Sequence, residues 1–175
     1  MAAGVELTAW TLHEVDIDNV LLYNIYWPVE FGLLLAISHA IHPWARPVLL
    51  SLAALFLCIW AMNMLLVDPM EQLVNTSVIS GALLLSAIYL IRLWHLANSW
   101  WMPLRDAPMF WLSLAVLVYY GASGPLLGSI NYFIQVDPPT AQALFRCTQV
   151  LFVLKFILMG VACLRARMPV LPAPQ

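Results

Sequence analysis

Five apolar stretches, each about as long as a membrane is thick, constrain this chain more than any other feature. A hydrocarbon layer about 30 Å deep takes roughly 20 residues of helix at a rise of about 1.5 Å each. The stretches run from Val20 to His42, Pro47 to Val67, Leu73 to Leu96, Met109 to Phe133 and Thr140 to Leu164. Little sequence remains outside them for a separate water-soluble domain. Only 9% of the 175 residues are charged and 63% are hydrophobic, whereas soluble domains carry about 25% charged residues. Such a chain lacks the polar side chains to cover a water-facing globule. The alternation of a β-barrel strand is absent. The expected fold is an all-α membrane protein, a bundle of five transmembrane helices in residues 20–164. An acidic segment, 1–19, precedes it and a tail, 165–175, follows.

The loops carry an orientation. Arg46, Arg92, Arg105, Arg165 and Arg167 all fall at one set of helix ends. The other set carries Glu6, Glu14, Asp16, Asp18, Asp68, Glu71 and Asp137, with no Lys or Arg in its loops. Basic loops stay on the cytoplasmic side, which predicts an outside N-terminus and a cytoplasmic C-terminus. The first residues have no basic region ahead of a short apolar core, so they do not read as a signal peptide. Trp44, Trp94, Trp100 and Trp101 cluster at inner ends and read as an interfacial belt. Asp106 ahead of Pro108 is placed to cap the fourth helix, and Asp137 to cap the fifth. No internal repeat is visible, and five spans do not divide into two equal inverted halves as many transporters do.

One carboxylate and two cations fall well inside the spans, and they define the candidate site. Glu30 follows Pro28 near mid-depth of the first span; Arg146 and Lys155 lie in the fifth. A charge at the bilayer centre costs about 2.5–3.5 kcal/mol on insertion scales, so each needs a partner, water or neutralisation. Nine residues separate the two cations, which at about 100° per residue places them on nearly opposite faces. The expectation is therefore that Glu30, or a helix of another subunit, holds Lys155, while Arg146 serves a different cluster nearer the outer side. Asn24, Tyr23 and Tyr26 share the outer half of the first span with Glu30. Gln142, Arg146 and Gln149 share a face of the fifth. The intramembrane polar site comprises Glu30, Arg146, Lys155, Asn24 and Gln149, either as a register-fixing ion pair or as a functional site.

Other features admit two readings. Gly121, Gly124 and Pro125, in GASGP, predict a kink, either a hinge or a bend filled by close packing. His39, His42 and His95 share a depth near inner helix ends, yet they lack an established ligand spacing; haem and metal are not expected, and no cofactor is. Cys58, Cys147 and Cys163 are odd in number and read as small apolar packers rather than a disulfide framework. Asn75-Thr76-Ser77 matches a glycosylation sequon at a membrane boundary and reads as coincidence. No nucleophile elbow, phosphate loop or metalloprotease motif is present.

The segment DAPMFWLSLAVLVYYGASG, Asp106 to Gly124, resembles a recurring stretch in uncharacterised multi-pass bacterial membrane proteins. There a Phe-Trp-[Ile/Leu]-Ser core precedes an aromatic and a glycine-containing bend. LLLSAIYLIRLWHLA before it and ALFRCTQVLFVLKFILMGVACL after it are similar in order and spacing, so the resemblance covers about the last 100 residues. It implies no activity; some such proteins look like membrane partners of sensory systems. The expected function is a non-catalytic component of a bacterial inner membrane, sensory, regulatory or complex-forming, acting through helix–helix contacts. Its partners would be membrane lipids and other membrane subunits or further copies of itself, with no nucleic acid. The alternative is a small-solute or ion binding or transport protein built around Glu30, Arg146 and Lys155. A sealed bundle with an exposed face of small residues favours the first reading; a wet cavity reaching Lys155 favours the second.

Overall fold

The computed structural model describes residues 20–41, 46–67, 75–99 and 103–166. The segment 1–19, His42, Trp44, Asp68, Glu71, Trp100, Trp101 and Arg167, which entered the reading above, lie outside the described residues. All regular structure among the described residues is helical: α1 (Val20–Ile41), α2 (Arg46–Met62), a π-helical turn (Asn63–Val67), α3 (Asn75–Ser99), a 3-10 turn (Leu104–Asp106), α4 (Pro108–Gly128), α5 (Ile130–Val136) and α6 (Pro138–Ala166). Five of these segments are long and apolar enough to cross a membrane: Val20–Ala40, Arg46–Leu66, Asn75–Asn98, Pro108–Gly128 and Pro138–Ala166. Each overlaps one of the five expected spans, because uninterrupted apolar runs of this length satisfy their backbone groups within a helix wherever lipid surrounds them.

The chain divides into two compact units, one ending at Gly81 and the other beginning at Ala82, within α3. In the first unit, α1 turns Asn24, Trp27, Glu30, Phe31, Leu34, Leu35 and Ser38 inward. These positions follow the three-and-four spacing of one helix face. Phe31 stacks on Phe56 of α2 with ring centroids 3.9 Å apart. The backbone of Gly81 lies against that pair: a Cβ there would come within 2.7 Å of Phe56 and 3.0 Å of Trp27. At the π-helical turn, the Asn63 amide donates to Ser77 Oγ at 3.1 Å, and both side chains are buried.

In the second unit α4 and α6 form the main helix pair. On α6 the buried residues are Ala141, Thr148, Lys155 and Ala162, one at every seventh position. A repeat of seven keeps one narrow seam against a partner helix. Asp137 caps α6 as expected: its carboxylate accepts from the Thr140 hydroxyl at 2.6 Å and from the Thr140 amide at 3.4 Å.

Three local expectations are corrected. Asp106 does not cap α4, whose N-cap is Ala107 without a side-chain bond; Asp106 instead accepts from the Arg165 guanidinium at 3.1 Å. The fourth span does not run unbroken to Phe133 but ends at Gly128. There the Ser129 hydroxyl donates to the carbonyls of Pro125 (3.0 Å) and Leu126 (3.1 Å), competing with the amides that would continue the helix. The cysteines are not interior packers: Cys58, Cys147 and Cys163 are all exposed. Each sits on the side of its helix that turns away from the protein interior.

Candidate functional site

Proline chemistry shapes the Glu30 side of the candidate site. Pro28 stands inside α1, and its ring nitrogen has no proton to give the carbonyl four residues earlier. That carbonyl belongs to Asn24. The Trp60 indole of α2 donates to it at 3.0 Å. An orphaned carbonyl in an apolar setting needs a partner, and a side chain from the neighbouring helix supplies it. The bend at Pro28 is thereby tied to the packing of α1 on α2. Glu30 follows two residues later on the buried face, 8% exposed, with Asn24 and Trp27 on the preceding turns. Sequence reading included Asn24 but missed Trp60; the available signal was the proline four residues beyond Asn24. Trp60→Phe keeps the ring and removes the donor. It is expected to lower stability by about 1–3 kcal/mol, the range for an unsatisfied buried polar group. Unfolding in mixed micelles measures this, and a variant as stable as the parent contradicts the assignment.

On the other unit, the Lys155 side chain is wholly buried, at 0% exposure. Its ammonium lies 4.0 Å from the ring centroid of Tyr119, 4.6 Å from Phe152, 5.0 Å from Phe156 and 5.5 Å from Tyr120. A cation within about 6 Å of a ring face is drawn to its negative quadrupole, by about 2 kcal/mol or more when water is excluded. The rings brace one another. Tyr119 meets Tyr120 and Phe152 edge-on at 4.8 and 5.9 Å, and Phe152 meets Phe156 at 4.8 Å. α4 supplies the two tyrosines and α6 the lysine and both phenylalanines. The arrangement holds a cation between two helices.

Arg146 and Gln149, the other α6 members of the expected polar site, do not join this cage. Arg146 and Gln149 are exposed on α6 while Lys155 is buried. The helical rotation between positions 146 and 155 accounts for the separation. Glu30 and Asn24 are both buried on α1, in the first unit. The expected hinge residues also part ways. α4 continues through Gly121, Gly124 and Pro125 as helix. Gly124 is buried against α3, where an added Cβ would fall 2.7 Å from that of Ala82; at Gly121 the nearest atom, Ser86 Oγ, would be 3.9 Å away.

Of the histidines, His39 is half-buried, His95 is exposed and His42 lies outside the described residues. Among the described residues no three His, Cys, Asp or Glu side chains gather as a metal site would require.

Five membrane-crossing helices, with a buried cation between two of them, define a multi-pass membrane protein. No family model, curated protein or solved structure matches the chain.

Proposed function

We propose that this chain is a non-catalytic subunit of a bacterial inner-membrane assembly, with a sensory or regulatory role, working through contacts between transmembrane helices. The observation that carries the reading is the outer face of α1. Gly32, Ala36 and Ala40 are exposed at four-residue spacing, and nothing lies within 4 Å of where a Gly32 Cβ would stand. Beside them run the exposed Val29, Leu33 and Ile37. Small residues repeating every four positions let a second backbone approach closely, which is how helices associate where lipid removes any hydrophobic drive. A neighbouring ridge of branched side chains supplies dispersion contacts. The opposite face of α1 is buried within the chain, which leaves this one to lipid or to a partner helix. The enclosure of the Lys155 ammonium by four rings supports the same reading over a solute path. The placing of Arg105, Asp106 and Arg165 at one level supports a cytoplasmic side there, with the C-terminus inside and the N-terminus outside.

A photo-reactive residue at position 36, in native membranes, is expected to give one discrete cross-linked species with a protein partner or a second copy. Gly32→Leu fills the groove and is expected to remove that species while leaving the protein's amount and helicity unchanged. Cross-links to lipid alone, the same in parent and variant, contradict the reading.

A further inference from the structure

The second unit contains a mismatch of lengths. α4 has 21 residues and α6 has 29, so they measure about 31 and 43 Å against a hydrocarbon layer of about 30 Å. Their register is readable from two contacts. At one end the Arg165 guanidinium meets Asp106 at 3.1 Å. Thirteen residues along from Asp106 stands Tyr119, and thirteen back from Arg165 stands Phe152; these rings meet at 5.9 Å. The helices therefore run antiparallel in step, and Gly128, the last residue of α4, falls level with Ala143. Arg146 lies about 4.5 Å inside that level and about 28 Å along the axis from Arg165. A hydrocarbon layer of about 30 Å laid over the length of α4 would bring the two arginines to its two faces, with Lys155 midway between them. Laid that way, the layer makes Arg146 a boundary residue and leaves the first two turns of α6, with α5, beyond it. On α5 the exposed Tyr132 would then lie at the depth where amphipathic rings gather.

The face around Arg146 has a matching composition. Gln142, Arg146 and Gln149 are exposed together, and α6 contains no Asp or Glu at all. Toward the membrane centre the same face continues as exposed Val150, Val153 and Ile157 and then Gly160, with nothing within 4 Å of its Cβ position. A cationic, amide-flanked head above an apolar strip fits an amphiphile with an anionic head.

We propose that this face of α6 binds an anionic phospholipid. The Arg146 guanidinium pairs with the headgroup phosphate, Gln142 and Gln149 donate amide hydrogens to it, and one acyl chain lies along Val153, Ile157 and the gap at Gly160. Guanidinium donors match phosphate oxygens in geometry as well as charge. A second copy docked here by two-fold symmetry would set Arg146 beside Arg146, an opposing like charge that a lipid phosphate replaces with an attractive one. No residue of α1 enters this proposal, which does not rest on the reading of that helix.

The test uses the full chain in mild detergent, titrated with phosphatidylglycerol, phosphatidylcholine or inorganic phosphate. Retained lipid is read by native mass spectrometry and stability by the thermal midpoint. Phosphatidylglycerol is expected to be retained in preference to phosphatidylcholine and to raise the midpoint, with inorganic phosphate inert. Arg146→Gln is expected to weaken retention about fivefold, the equivalent of roughly 1 kcal/mol per basic residue at an anionic surface, and Arg146→Lys to restore part of it. Gly160→Phe, which fills the far end of the strip, is expected to weaken phosphatidylglycerol binding with Arg146 intact. Equal retention of both lipids by the parent chain overturns the proposal, and needs no variant to fold. So does a midpoint shift by inorganic phosphate equal to that by the lipid, which marks a free-anion site. Undiminished retention in Arg146→Gln also overturns it, as does a protein cross-linked at position 149 in its place.

Discussion

Lys155→Glu is expected to lose about 3 kcal/mol or more of stability and most of the folded protein in the membrane. The parent ammonium sits 4.0–5.5 Å from four ring centroids with no exposed surface. Roughly 2 kcal/mol of cation–π attraction disappears with the cation. A carboxylate in its place then faces the negative side of the same rings, and a buried charge without compensation is among the most damaging changes known. Lys155→Met separates charge from packing. Its thioether is unbranched and makes favourable contacts with aromatic rings, so its loss is expected to be clearly smaller than that of Glu. Unfolding in mixed micelles, with membrane abundance measured alongside, checks the order. A Glu variant as stable as the Met variant contradicts the electrostatic account. Tyr119→Leu, which removes the nearest ring face, is expected to fall between the two.

Gly124→Ala and Gly121→Ala, three residues apart in one helix, are expected to change stability in opposite directions. An alanine methyl at position 124 would lie 2.7 Å from the Cβ of Ala82. That atom is fixed to the α3 backbone and cannot swing aside, so the helices must separate. Overpacking of this kind costs about 1–3 kcal/mol. At position 121 the nearest atom is Ser86 Oγ at 3.9 Å, an ordinary contact. There the substitution gains up to about 1 kcal/mol from the higher helix propensity of alanine. If the GASGP segment works as a hinge, stiffening it at either glycine would produce similar effects. If close packing at one glycine is what matters, only position 124 is sensitive. Thermal midpoints of the two variants decide, and a Gly124→Ala variant as stable as the parent contradicts the packing account.

The lengths and places of the five crossing helices were legible in the sequence because lipid imposes a one-dimensional rule: about 20 apolar residues in succession, with polar punctuation between. HPWARP, VDPMEQ and DPPT stand where the apolar runs stop, and no knowledge of neighbours is needed to read them. The opposed positions of Arg146 and Lys155 were legible for a similar reason, since rotation about a single helix follows from residue number. What surrounds each of these groups was not legible. Tyr119 and Tyr120 are 36 and 35 positions from Lys155, and nothing in their spacing marks them as its cage; the antiparallel register of α4 on α6 brings them there. Asp106 looked like a cap because local pattern favours that role, and it was drawn to Arg165 by a helix that begins 32 residues later. The carbonyl freed by Pro28 could be counted from sequence, but its donor, Trp60, came from another helix. Gly121 and Gly124 read alike as letters, and only the approach of α3 makes one of them indispensable. Local order is set by each residue's own chain neighbours and by the solvent around the helix. A partner for a buried charge, a freed carbonyl or a missing side chain is set by how helices pack in three dimensions, and the tertiary structure alone decided those.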